Sequence, residues 1–276
     1  MRQVVPMIDY ARFAEDYLLV DIDDGVATIT INRPERRNAV AGGMHEGFEQ
    51  ILTLFNQDER VRAAIITGAG DRAFCAGADV KEMASRSTEG APRSLGHVTR
   101  NAKWLLQNFL NLEVPIIAAI NGDAVGLGAT LALMCDITLM ADTARIGDTH
   151  VKVGLVAGDG GAMMWPFLIG MNRAKELLMT GRLVGAEEAE RIGLVNRVVP
   201  QAKLMDEARS LARELAAGAP LAIRWTKLSL NQHIWQQMIN THHYSTAVEA
   251  LTMASEDVRE GTKAFAEKRQ PNWQGR

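Results

Sequence analysis

The sequence predicts an α/β fold, and three observations carry that reading. Short runs of strand-forming residues alternate with amphipathic helical patterns, the runs end in glycine-rich turns, and no long hydrophobic repeat interrupts the alternation. A chain of 276 residues is long enough for one large core with a smaller unit appended.

The elements follow in order. Leu18–Asp23 and Val26–Ile31 flank Asp24-Gly25, a hairpin turn signal. In the second strand Ala27, Ile29 and Ile31 share one face, Val26, Thr28 and Thr30 share the other, and Asn32-Arg33-Pro34 stops it. Met44, Phe48, Ile51, Leu52 and Phe55 recur at helical spacing and predict a helix over Met44–Phe55. Val61–Thr67 reads as a buried strand ended by Gly68-Ala69-Gly70. Residues 84–96 are small and polar and read as a mobile loop, and His97–Leu110 is again amphipathic. Pro115–Ile120 is a strand, Gly126–Cys135 a helix and Ile137–Met140 a strand. From about Gln201 the patterns are helical only: Ala208–Ala217, Leu221–Met238 and Ala247–Met253, broken at Gly218-Ala219-Pro220 and around Asn240. The expected division is an α/β body over 1–200 that holds the site, and a helical unit over 201–276.

Composition narrows the function classes. With 47% hydrophobic residues, 23% charged residues and a net charge of -3, there is no basic footprint for nucleic acid. Residues 114–135 are apolar, but Pro115, Asn121, Gly122, Asp123, Gly126 and Gly128 break the run short of a bilayer-spanning length. Cys75 and Cys135 sit in apolar surroundings and are expected as buried free thiols, which fits a cytoplasmic protein. Near the N-terminus Asp9 stands where a secretion signal needs its apolar run. No metal site is expected.

Two segments share one logic: a buried strand, a glycine-rich turn, then a helix. They are Ile65–Ala78, leading into Asp79–Met83, and Ile116–Leu127, leading into Gly128–Cys135. A helix N-terminus offers unpaired N–H groups and a partial positive charge, so two such ends aimed at one point would hold an oxyanion. Mere turn glycines are the competing reading. Neither turn matches the G-x-G-x-x-G pattern with a downstream acid, which argues against a dinucleotide site.

The wording of these segments, Ala73-Phe-Cys-Ala-Gly-Ala78 with Ile117-Ala-Ala-Ile-Asn-Gly-Asp-Ala-Val-Gly-Leu-Gly128 and Met134-Cys-Asp-Ile137, resembles the crotonase (enoyl-CoA hydratase/isomerase) superfamily. The likeness runs from Ile31-Asn-Arg-Pro34 to the stretch Glu260–Arg269. It implies a crotonase-type spiral of ββα units with a helical C-terminal trimerisation region, and a homotrimer or dimer of trimers. It also implies an acyl-CoA thioester substrate, coenzyme A entering only as part of it and no bound cofactor. By position, the oxyanion donors would be the amides of Ala78 and Leu127. Ala76, Asp79, Val80, Lys81, Gly126 and Thr130 would line the substrate. Lys263 and Lys268 would meet coenzyme A phosphates or form a solvated helix face.

Two positions depart from that pattern. The glutamates that hold and shuttle water in the hydratases of this superfamily fall on Thr130 and His150 here. Threonine is no base near neutral pH and is expected to bond back to a helix carbonyl; histidine can serve as one. Asp159, between glycines, either caps the helix Ala162–Leu168 or faces His150 and raises its basicity. A His/Asp site with a further histidine (His45) and glutamate (Glu249) is similar to the oxocamphor hydrolase subgroup, which cleaves β-diketones. For His45 a packed role competes with a catalytic one, and for Glu249 a helix-surface role does. The resemblance thus implies an acyl-CoA enzyme with His150 and Asp159 in place of two glutamates. The alternatives are a β-diketone carbon–carbon hydrolase and a non-catalytic acyl-CoA-binding homologue.

Overall fold

The hairpin opens the larger of two sheets. The computed structural model describes residues 8–79 and 95–276, with side chains from 103 onward in the second stretch. In it β1 (Leu18–Asp23) and β2 (Val26–Ile31) pair antiparallel, Leu18 opposite Ile31. Asp24 and Gly25 both take positive φ, as a two-residue hairpin turn requires. Ala27, Ile29 and Ile31 are fully buried while Thr28 and Thr30 are half-buried, the division that strand alternation predicts.

The chain then repeats one unit. After α1 (Met44–Gln57) come β3 (Ala63–Gly68), β4 (Ala73–Cys75) and α2 (Leu95–Asn111). Next are β5 (Ile116–Ile120), β6 (Asp123–Val125) and α3 (Leu127–Leu133). The third round is β7 (Ile137–Ala141), β8 (Arg145–Gly147), α4 (Gly161–Ile169) and α5 (Met171–Thr180). In each round the first strand joins a six-stranded sheet, ordered β1-β2-β3-β5-β7 and closed by Arg197–Val199, and the second joins a four-stranded sheet. The smaller sheet runs β4-β6-β8-β9, with β9 at Val184–Gly185, followed by α6 (Ala186–Arg191) and then β10 (Arg197–Val199) in the larger. This is a spiral of ββα units. Asn121 stitches successive corners, its side chain donating to the carbonyls of Gly68 and Gly70 and accepting from the Gly68 amide.

Past residue 200 the chain is helical: α7 (Leu204–Ala217), α8 (Pro220–Gln237), α9 (His243–Met253) and α10 (Glu256–Glu267). Leu204, Ala208, Ala212 and Ala216, four apart on one face of α7, join the main apolar core. Lys227 of α8 is buried and reaches both Asp136 Oδ2 and the Val114 carbonyl at 2.8 Å, tying the helices to the corners between strands. No described helix is long and apolar enough to cross a membrane.

Three expectations need correction. The stretch around Asn240 is not a break: Met238–His242 forms a π-helical turn that carries α8 straight into α9, since an exposed polar side chain removes no backbone hydrogen bond. The strand expected from Val61 starts at Ala63, because Val61 and Arg62 are still in the turn out of α1, with Val61 N–H donating to the Asp58 carbonyl. The helix expected at Gly126–Cys135 is shorter, Gly126 serving as its N-cap. All but Asp79 of the helix expected over Asp79–Met83, and residues 84–94 of the expected loop, lie outside the described residues, and Leu95 and Gly96 already belong to α2.

Candidate active site

Three neighbouring strands of the smaller sheet end together, and each hands on a residue of the site. β4, β6 and β8 are parallel, so their carboxyl ends share one edge, where open α/β sheets bind ligands. Out of β4 comes Ala76–Ala78, out of β6 Gly126 and Leu127, and out of β8 Asp148, Thr149 and His150.

The two amides named by the sequence are left at that edge. Val40 pairs beside Ala78, donating to the Gly77 carbonyl and accepting from the Asp79 amide, which turns the N–H of Ala78 itself away from that partner. Leu127 opens α3 behind Gly126, whose φ of 56° and ψ of -123° suit glycine alone. A β-carbon placed on Gly77 would stand 3.5 Å from the Leu127 nitrogen, so the two loops are in contact. Among the described residues, neither amide donates to a protein carbonyl.

His150 lies over the same turn. A β-carbon on Gly126 would be 3.5 Å from its Cε1 and 3.8 Å from its Nε2. The ring stands between two carboxylates: Nδ1 meets Asp148 Oδ1 at 2.6 Å, and Nε2 faces Asp159 Oδ2 at 3.4 Å. Asp159 comes from the turn before α4, and its Oδ1 accepts from the Thr130 hydroxyl of α3 at 3.1 Å. Glu249 of α9 joins from a fourth side, buried to 3% exposure, and a β-carbon on Gly158 would lie 2.7 Å from its Oε2. Among the described residues, that oxygen has no hydrogen-bond partner.

Burial and mutual charge set the protonation states. Burial by itself would lower the His150 pKa, but Asp148 and then Asp159 overcome it and hold the imidazole well above its ordinary range, hence cationic at neutral pH. Burial, reinforced by Asp148, raises Asp159 against the pull of His150 and the Thr130 hydroxyl. Burial pushes Glu249 up to about 8, with Asp159 adding to it, so this side chain is a neutral acid at pH 7. Donor atoms of Asp148, His150 and Asp159 lie within 4.8 Å of one another, the two carboxylates facing opposite nitrogens of the ring.

The arrangement decides several readings left open by the sequence. Asp159 does not cap α4: its N-cap is Gly160, with no side-chain cap bond. Thr130 bonds to Asp159 rather than back to a carbonyl of its helix, because Asp159 offers a charged acceptor at its side. Glu249 is not on the helix surface. Asp79 pairs with Arg33 at 3.0 Å, and Ala76 is half-buried beside the first amide loop. Lys263 within α10 and Lys268 at its C-cap are both exposed. His45 is half-buried in the first turn of α1, and Val80 and Lys81 lie outside the described residues. Asp148 was not anticipated; the signal was its place two residues before His150, the spacing at which an aspartate side chain turns back on its own backbone.

Residues 21–276 match the model of the enoyl-CoA hydratase/isomerase family. The chain belongs to that family. A carnitinyl-CoA dehydratase of Shigella flexneri is 39% identical over 91% of this chain and 95% of its own. A short-chain-enoyl-CoA hydratase of Clostridium acetobutylicum is 34% identical over 91% and 95%. The crystal structure of an enoyl-CoA hydratase/isomerase from Mycobacterium paratuberculosis superposes with a TM-score of 0.84 at 33% identity, covering 90% of this chain and 98% of that one. The chain is therefore a crotonase-fold enzyme of acyl-CoA chemistry, and both amide loops fall inside the matched region.

Proposed function

We propose that this enzyme adds water to a 2-enoyl-CoA thioester, with His150 and Asp159 in the roles that two glutamates fill in the hydratases it resembles. The observation that carries the reading is the sharing of one sheet edge by the amide loops of Ala78 and Leu127 and the His150 ring. The thioester oxygen accepts from the two amides; losing one such donor costs about 2.7–4 kcal/mol of transition-state stabilisation. Asp159 and the Thr130 hydroxyl hold water. As its oxygen bonds to C3 of the enoyl group, Asp159 takes the water proton, the electrons of the double bond pass to the enolate, and His150 Nε2 delivers its proton to C2. The proton on Asp159 then returns to Nε2 across the 3.4 Å gap, restoring both groups.

Asp159 thus supplies, from the turn before α4, the carboxylate absent at position 130; the hydrogen bond between the two side chains supports this exchange. Ala76 lines the coenzyme A path in this reading, and Lys263 and Lys268 serve its phosphates. Coenzyme A is part of the substrate, with no further cofactor. Exposed Leu221, Trp225, Leu230 and Phe265 on α8 and α10 supply apolar surface for a homotrimer or a dimer of trimers. No step is assigned to His45.

The same pair could activate water against a 1,3-diketone, and the buried Glu249 favours keeping that reaction in the test. Incubation with crotonyl-CoA and, separately, with cyclic β-diketones, read by mass spectrometry, tells them apart. Hydration of the thioester without diketone cleavage is the expected result; cleavage without hydration overturns the proposal, and turnover of neither substrate leaves the non-catalytic binder.

A further inference from the structure

We infer that Asp148 is the residue that positions His150, holding the imidazole by Nδ1 so that Nε2 alone faces Asp159 and the oxyanion loops. This rests on the reading of His150 given above. Asp148 follows β8 directly, so the sheet fixes its place. One of its oxygens, Oδ1, accepts two donors from the same residue: the His150 amide at 3.1 Å and His150 Nδ1 at 2.6 Å. Backbone and ring are therefore aligned by a single acceptor, which leaves the imidazole no freedom to flip without losing a charge-assisted bond.

Such a carboxylate is costly to bury, and Asp148 is only 1% exposed. Its second oxygen has no hydrogen-bond partner among the described residues but abuts Gly161, the first residue of α4, where a β-carbon would overlap it. The positive end of that nine-residue helix favours a negative charge there. Glycine at 161 and the helix end thus make room for a buried anion whose strong contacts are both to His150.

Four other groups bear on the ring or its partners. Asp159 faces Nε2, Glu249 adds a longer-range field from α9, Thr130 reaches Asp159 from α3, and the buried Cys75 thiol of β4 lies near Asp159. None of these contacts Nδ1. The two aspartates consequently divide the work: one fixes the ring, the other is free to exchange protons with water. Removing the charge of Asp148 would leave a buried imidazole that sheds its proton more readily, and with it the acid that protonates C2.

Asp148→Asn tests this, because asparagine keeps the size and the amide-accepting oxygen while deleting the charge. With crotonyl-CoA, kcat is expected to fall about 100-fold or more with KM changed by less than about threefold, general acid–base catalysis being worth about 10²–10⁴. The alkaline limb of the kcat profile should move to lower pH. In proton NMR spectra the downfield Nδ1–H resonance of His150 should shift upfield or vanish. A kcat within about threefold of wild type with an unmoved limb and resonance would overturn the inference. If His150→Ala itself retains turnover, the reading of the site fails; if His150→Ala is inactive while Asp148→Asn behaves as wild type, the inference alone fails.

Discussion

The hydroxyl of Thr130 donates to Oδ1 of Asp159 at 3.1 Å, joining the start of α3 to the turn before α4. A hydrogen bond to a charged group is worth about 1.5–3 kcal/mol, so its loss has a measurable price in rate. Thr130→Val keeps the shape and deletes the donor. The expected outcome is a fall in kcat of about 10- to 100-fold with an unchanged circular dichroism spectrum. An unaffected kcat would show that the bond does not serve the chemistry.

Glu249 gives a pH signature of its own. Its folded pKa of about 8 lies above the ordinary glutamate value, so the native state binds this proton more tightly than the unfolded chain does. The stability it contributes is fully present below about pH 4.5 and is lost as pH rises towards 8. Glu249→Gln removes the titration. Urea unfolding at pH 6 and pH 8.5 should show a smaller decline for the variant than for wild type, and equal declines would refute the assignment.

His242 acts in the opposite sense. Its ring is buried in the π-helical turn beside the Thr246 hydroxyl, 3.3 Å away, and that hydroxyl and Ser245 both donate to the Gly158 carbonyl just before Asp159. Burial lowers its pKa to about 4, with His243 and Lys103 adding repulsion. The native state resists this proton, so stability is intact above about pH 6.5 and declines as pH falls towards 4, by about 3 kcal/mol in all. Denaturant titrations of wild type and His242→Gln at pH 7 and pH 4 check this; the loss on acidification should be larger in wild type.

Much of this was legible from the sequence because long elements carry strong periodic signals. The first hairpin, α1 and β5 matched their expected spans within two residues. What escaped was the smaller sheet: β4, β6, β8 and β9 are two or three residues each, too short for alternation to register. That sheet is what gathers Ala78, Leu127 and His150, so their proximity could be expected only from resemblance. The Asp159 turn was visible as an acid among glycines, but its choice between helix cap and His150 depended on how α4 meets α3, a tertiary matter. Asp148 went unread because an aspartate in a turn ordinarily signals only the turn.

The central claim is that His150 performs proton transfer beside an oxyanion site made of backbone. Steady-state kinetics of His150→Ala with crotonyl-CoA, paired with the dissociation constant of a CoA ester for the same variant, tests it most directly. The account predicts a kcat reduced by at least about 10²–10⁴ while the CoA ester binds within a few-fold of wild type. A variant that keeps wild-type turnover, or that loses ester binding in step with rate, would contradict it.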